Sequence, residues 1–184
     1  MSSRLFRLFL VCAALAAVLP AAGCEPEQVR SLSLTSPAFA DNAAIPGKYS
    51  CDGQNTSPEL KWSGVPSGAK SLALIMHDPD APRAGGFTHW VIFNIPPTAK
   101  GLTEAMPKQA QLTDGTVQGN NGRGEPGYTG PCPPAGPAHH YEFKLYALDR
   151  LLILGIGSTK DEIEAAMAGH ILAQTQLTGL FQRS

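Results

Sequence analysis

Two apolar runs constrain this chain more than any other feature. Ser71-Leu72-Ala73-Leu74-Ile75-Met76 and Val91-Ile92-Phe93-Asn94-Ile95 are both too short for core helices. Apolar runs of this length, bounded by turn signals, read as core strands. Between them lies His77-Asp78-Pro79-Asp80-Ala81-Pro82-Arg83-Ala84-Gly85-Gly86-Phe87-Thr88-His89-Trp90. Two carboxylates stand two residues apart among prolines, and a His-Trp pair follows a glycine bend. A short polar connection held by rigid strands is where binding residues concentrate.

The rest of the chain reads as support for that connection. Ser31–Thr35 and Leu60–Ser63 alternate as half-buried strands do, and 41–47 reads as loop. Gly101–Glu104 is a weak strand, and 106–138 is a long irregular region rich in Gly and Pro. A structureless stretch of that length inside a domain is functional or disordered. Its prolines argue for order. From His140 to Leu148 the alternation is clean, with Tyr141, Phe143, Leu145 and Ala147 on one face. Thr159 and Glu162 form a capping box, and Ile163, Ala166, Met167, His170 and Ile171 recur at helical spacing. This predicts one helix over 160–172, with His170 packed on its buried face. Leu177–Phe181 returns as a last strand. The expected class is mainly β: an antiparallel β-sandwich with one C-terminal α-helix.

The chain begins with Arg4 and Arg7, an apolar run from Leu8 to Leu19, and the small residues Ala21-Ala22-Gly23 before Cys24. This is the layout of a secretory signal over residues 1–23. Ala-Gly-Cys resembles a bacterial lipobox, although Ala21 stands where Leu is usual. The expectation is a lipidated Cys24, a polar tether over 24–30, a domain over 31–184, and a site in the bacterial cell envelope facing the periplasm or exterior. The first 23 residues hold two of the 14 basic and none of the 15 acidic residues, so the mature chain has 161 residues and a formal charge of −3. With no basic run and no interleaved aromatics, nucleic acid is not an expected partner. Cys12 leaves with the signal, and Cys51 and Cys132 remain in an oxidising setting. A Cys51–Cys132 disulfide follows.

Five histidines are present, of which His89, His139 and His140 open strands near Asp78 and Asp80. One convergent pocket would gather them. No metal-ligand spacing, cofactor motif or Gly-x-Ser-x-Gly nucleophile accompanies them. Imidazoles, glycine-rich backbone and an aromatic hydroxyl instead fit an anion site. Carboxylates belong in such a site if they orient donors: an Asp accepting one imidazole N–H frees the other nitrogen for an oxyanion.

Asp78-Pro79-Asp80-Ala81-Pro82, then His89-Trp90 with Asn94-Ile95-Pro96, then Gly127-Tyr128-Thr129-Gly130-Pro131-Cys132-Pro133-Pro134 and His139-His140-Tyr141 resemble the phosphatidylethanolamine-binding protein family. The bacterial branch, called Raf kinase inhibitor-like, is the nearer likeness. The resemblance runs from about Ser31 to Arg183. It implies a Greek-key β-sandwich with a small anion pocket formed by Asp78, Asp80, His89, Gly130, His139 and Tyr141. His140 stands where the family usually has Arg, which removes a fixed cation near the pocket mouth. Three functional readings follow. The first is a lipid-anchored binding module for phosphate or a phosphorylated head group. The others are a hydrolase using His89 or His139 as base, and an exported protein that modulates another protein.

Overall fold

The computed structural model describes residues 31–183. The signal, the tether and Cys24 lie outside the described residues, as does Ser184. The elements are β1 (Ser33–Thr35), β2 (Ala43–Ala44), a 3-10 turn (Gly47–Tyr49), β3 (Leu60–Ser63), β4 (Ser71–Asp78), β5 (Phe87–Ile95), β6 (Gly101–Leu102), β7 (Val117–Gln118), β8 (His139–Leu148), α1 (Lys160–Met167) and β9 (Ile171–Phe181).

β4 explains the architecture. Leu72, Leu74 and Met76 point into one apolar cluster, and Ala73 and Ile75 into another. A strand buried on both faces must read as a continuous apolar run, and this one does. Its first face is covered by a three-stranded sheet, β1-β3-β6, whose Leu34, Trp62 and Leu60 share the larger core with Trp90, Tyr141 and Phe143. Its second face is covered by α1, through Ile163 and Met167, and by Leu152 of the preceding loop. The six-stranded sheet runs β2-β9-β8-β4-β5-β7. The protein is therefore mainly β, with two stacked sheets and one helix among the described residues.

Four expectations need correction. Residues 41–47 are not all loop: Ala43–Ala44 forms β2, which pairs in parallel with Gly179 and Leu180 of β9, so pairing is not purely antiparallel. Phe39 and Ile45 leave no room for a side chain at Gly179, and the two segments lie close for that reason. The helix ends at Met167, not at 172. Thr159 and Glu162 cap its start as expected, but Gly169 takes φ 78°, a left-handed turn that stops a helix. Beyond it Ile171 pairs with Leu148, so the last strand starts at 171 rather than 177. His170 is consequently not a packed helix residue: it is part-exposed, with Nδ1 3.0 Å from Asp149.

The region 106–138 contains only β7 and isolated bridges, yet it is tied down throughout. Buried Gln118 accepts from Trp90 Nε1 at 2.8 Å and donates to the carbonyls of Pro107 and Gln109. Tyr128 donates its hydroxyl proton to Tyr49 O at 2.7 Å. The Cys51–Cys132 disulfide is formed and closes a separation of 81 residues.

Candidate functional site

Three neighbouring strands open at one end of the larger sheet. β4 ends there at Asp78, β5 begins there at Phe87, and β8 begins there at His139. Inner-face residues at this end look into the mouth of the space between the sheets. The cleft they form is about 240 Å³ in volume. Asp78, His89, Gly130 and His139 line it, with Arg83 and Arg123 also on the wall. Ala81, Pro82, Phe87, Pro133 and Pro134 supply apolar walls.

His89 reaches the cleft through an irregularity in the pairing. Met76 pairs with Trp90 and His77 with Thr88, so His89 has no partner on β4. An inserted residue of this kind bends the strand and re-aims its side chain. Trp90 faces the core between the sheets, and strict alternation would send His89 to the opposite face. The bulge instead seats the His89 ring 5.1 Å from that of Tyr141 and 4.7 Å from that of Phe87.

Each imidazole is held by an acceptor. His89 Nδ1 lies 2.8 Å from Thr129 O. A carbonyl can only accept, so Nδ1 carries the proton and Nε2 is left for a ligand. Burial lowers the His89 pKa to about 4, against the opposing pull of the Thr129 carbonyl and the Asp78 charge. The ring is therefore neutral at pH 7. His139 Nδ1 lies 2.9 Å from Asp78 Oδ2, both groups being buried. Asp78 Oδ1 also accepts the Asp80 N–H at 2.9 Å, so one carboxylate orients a ring and pins the loop after β4.

Asp80 does different work. Its Oδ2 accepts from the His140 N–H at 2.8 Å and stands 2.7 Å from His140 Nδ1. These two hydrogen bonds, the backbone one first, hold its pKa below the usual carboxylate range. The pair lies outside the cleft lining and in solvent, and it locks the Asp80 loop to the start of β8. Tyr141 is fully buried, and among the described residues the group nearest to partnering its hydroxyl is the Asp78 carboxylate, at less than full hydrogen-bonding geometry. Burial, with the nearby Asp78 charge, raises its pKa above the usual phenol range.

Gly130 is placed by the segment around Cys51. Its N–H donates to Asn55 Oδ1 at 2.6 Å, and the Cys51 N–H donates to Pro131 O. A Cβ on Gly130 would overlap the Tyr49 carbonyl oxygen. Thus the disulfide half of the chain delivers Gly130 to Pro134 against the half carrying the two aspartates.

The structure gathers Asp78, His89, Gly130 and His139 around the cleft, with Tyr141 behind His89 and Asp80 just outside. Sequence reasoning missed the two arginines. Arg83 stacks its guanidinium 5.2 Å from the Phe87 ring centre, and Arg123 Nε donates to Thr129 Oγ1 at 3.2 Å. Neither pairs with a carboxylate among the described residues. Two other loops thus bring cations to the cleft lining, away from the His140 position. A weak signal existed: both lie in loops that sequence reading had already singled out.

A family model described as "Phosphatidylethanolamine-binding protein" matches residues 35–182. The UPF0098 protein of Methanothermobacter thermautotrophicus is 53% identical over 152 residues, which is 83% of this chain and 99% of that protein. Among solved structures, YbcL of E. coli, described as a new member of the mammalian PEBP family, superposes with TM-score 0.79 at 33% identity, covering 84% of this chain and 100% of that one. A putative phosphatidylethanolamine-binding protein homolog from Chlamydia trachomatis superposes with TM-score 0.76 at 42% identity, covering 84% and 99%.

Proposed function

The chain belongs to the phosphatidylethanolamine-binding protein family, and from that premise we propose that it is an exported, lipid-anchored protein that binds a small anion. The ligand class is phosphate or a phosphorylated head group. The observation that carries this reading is the charge layout of the cleft: two guanidinium groups without carboxylate partners at the rim, above two imidazoles held by fixed acceptors. Small volume favours a head group over a whole lipid or nucleotide, since drug-sized ligands occupy ~300–1,000 Å³. The buried Tyr141 hydroxyl, incompletely satisfied by Asp78, supports it further, because such groups are normally satisfied by water or ligand. Side-by-side β4–β5 and β8–β9 pairs are consistent with a Greek-key sandwich as the frame.

Among the described residues no serine, threonine or free cysteine lines the cleft, so a hydrolase here would depend on water activated by His89 or His139. Calorimetric titration of inorganic phosphate into residues 24–184 tests the binding reading. His89→Ala should weaken binding at least about tenfold, equivalent to ~1.4 kcal/mol. Equal affinity in the variant would reject the cleft as the binding site.

A further inference from the structure

The end of the fold opposite the cleft carries its own unexplained feature. β4 begins there at Ser71, paired with Leu148 at the end of β8, and β9 begins there at Ile171. Leu151, Ile153, Ile171 and Leu172 are exposed at this end, Ile153 completely. The register between β8 and β9 slips here, leaving Leu172 without a partner on β8 and turned out of the sheet. Single exposed apolar residues need no explanation, but several gathered at one end of a sheet do.

The chain enters the domain at this same end. Ser33 pairs with Ser63, and residues 64–70 run from Ser63 to Ser71. Within that link a Cβ on Gly68 would lie 3.6 Å from Leu172 Cδ1. Ser33 therefore starts beside the apolar group. Only residues 25–30 separate Cys24 from Ser31, seven residue steps in all. Seven steps span at most ~25 Å even when fully extended. Lys70, Lys100 and Arg150 are exposed around the group, whereas the nearby Asp149 is engaged by His170. Basic residues beside apolar side chains suit an anionic lipid surface.

We propose that Leu151, Ile153, Ile171 and Leu172 form a membrane-docking surface that rests on the bilayer holding the Cys24 lipid. This rests on the lipid-anchor reading above. β8 spans the distance between the two ends with ten residues, or ~33 Å at strand rise. Docking in this pose holds the cleft well above the head groups of its own leaflet. The cleft then meets anions in the aqueous compartment or on a facing surface, not the lipids beneath it.

The test uses the acylated full-length mature protein in vesicles of phosphatidylethanolamine and phosphatidylglycerol. An environment-sensitive fluorophore is attached at Ile153→Cys or, on the cleft side, at Ala84→Cys. Docking gives a blue shift and several-fold stronger quenching by spin-labelled lipid at position 153 than at 84. Equal quenching at the two positions would overturn the proposal. A shift at 153 without vesicles, rising with protein concentration and accompanied by doubled mass in light scattering, would also overturn it in favour of a second copy. Intact mass reports the anchor separately. If Cys24 carries no lipid, the anchor reading fails, and the surface stands only if the unacylated 153-labelled protein still shifts on adding the vesicles.

Discussion

The state of His89 makes the sharpest prediction about this cleft. Its pKa of about 4, lowered first by burial, leaves Nε2 without a proton at neutral pH. An oxyanion with no proton of its own cannot be received by that lone pair. Sulfate must therefore bind together with a proton on His89. At pH 7 only about one ring in a thousand carries that proton, and supplying it costs about 4 kcal/mol, at ~1.36 kcal/mol per pH unit. Apparent affinity for sulfate should rise about tenfold per unit as pH falls from 7 to 5, then level off near pH 4, as expected when only the protonated fraction binds. A phosphomonoester with a second pKa near ~6 brings its own proton below that pH and should show a flatter profile. Calorimetry of both ligands from pH 5 to 7 measures the slopes. His139 and Asp78 share the cleft, so the same titrations are run on His89→Gln, which removes the titrating ring and keeps a polar group. The difference in sulfate slope between the two proteins belongs to His89. If the slopes coincide, the coupling is refuted.

The same depressed pKa has a sign in folding. Unfolded His89 titrates near 6.5 and the native ring near 4, so the unfolded state takes up the proton first as pH falls. Stability should be fully present above pH 6.5 and fall by about 3 kcal/mol between 6.5 and 4, a drop that urea melts of His89→Gln should lack. Replacing Cys51 and Cys132 together by alanine opens an 81-residue separation and should lower stability by about 4.5 kcal/mol on the chain-entropy model. The loss would appear as a shift in urea midpoint, and an unchanged midpoint would contradict it. Gly130→Ala forces a Cβ against the Tyr49 carbonyl. It should destabilise by about 1–3 kcal/mol, read by calorimetric melting, and should weaken phosphate binding, because the displaced loop lines the cleft.

Much of the frame was legible because its signals are local. β4 and β5 announced themselves as apolar runs, β8 by strict alternation, and the helix start by Thr159 and Glu162. The helix end was not legible: Ala166, Met167, His170 and Ile171 keep helical spacing, yet pairing of Ile171 with Leu148 and the turn at Gly169 decide the outcome. In the site, residue types pointed to Asp78, His89 and His139, but their roles came from tertiary geometry. Nothing local marks His89 as a bulge residue, and periodicity alone would have turned it away from the cleft. Arg83 and Arg123 look like ordinary loop charges until folding brings both to the lining of one cleft.

The roles of the two carboxylates follow from what each has already accepted. Asp80 is spent on His140 outside the cleft, and Asp78 on His139 and the Asp80 N–H. Neither is left to bind a cation or to act as a free general acid. Asp78 holds the His139 ring through Nδ1, which leaves Nε2 of that ring, like Nε2 of His89, for a ligand. The interior thus holds the proton-free Nε2 of His89 beside the buried Tyr141 phenol, while permanent positive charge sits on the exposed Arg83 and Arg123. Such an inventory favours a ligand that is anionic outside and proton-bearing inside. A monoprotonated phosphomonoester meets both demands, whereas sulfate meets only the first and a phosphodiester has no proton to offer. Selectivity for the monoester at pH 6 should follow, since a site with unmatched buried acceptors rejects ligands lacking the matching donor.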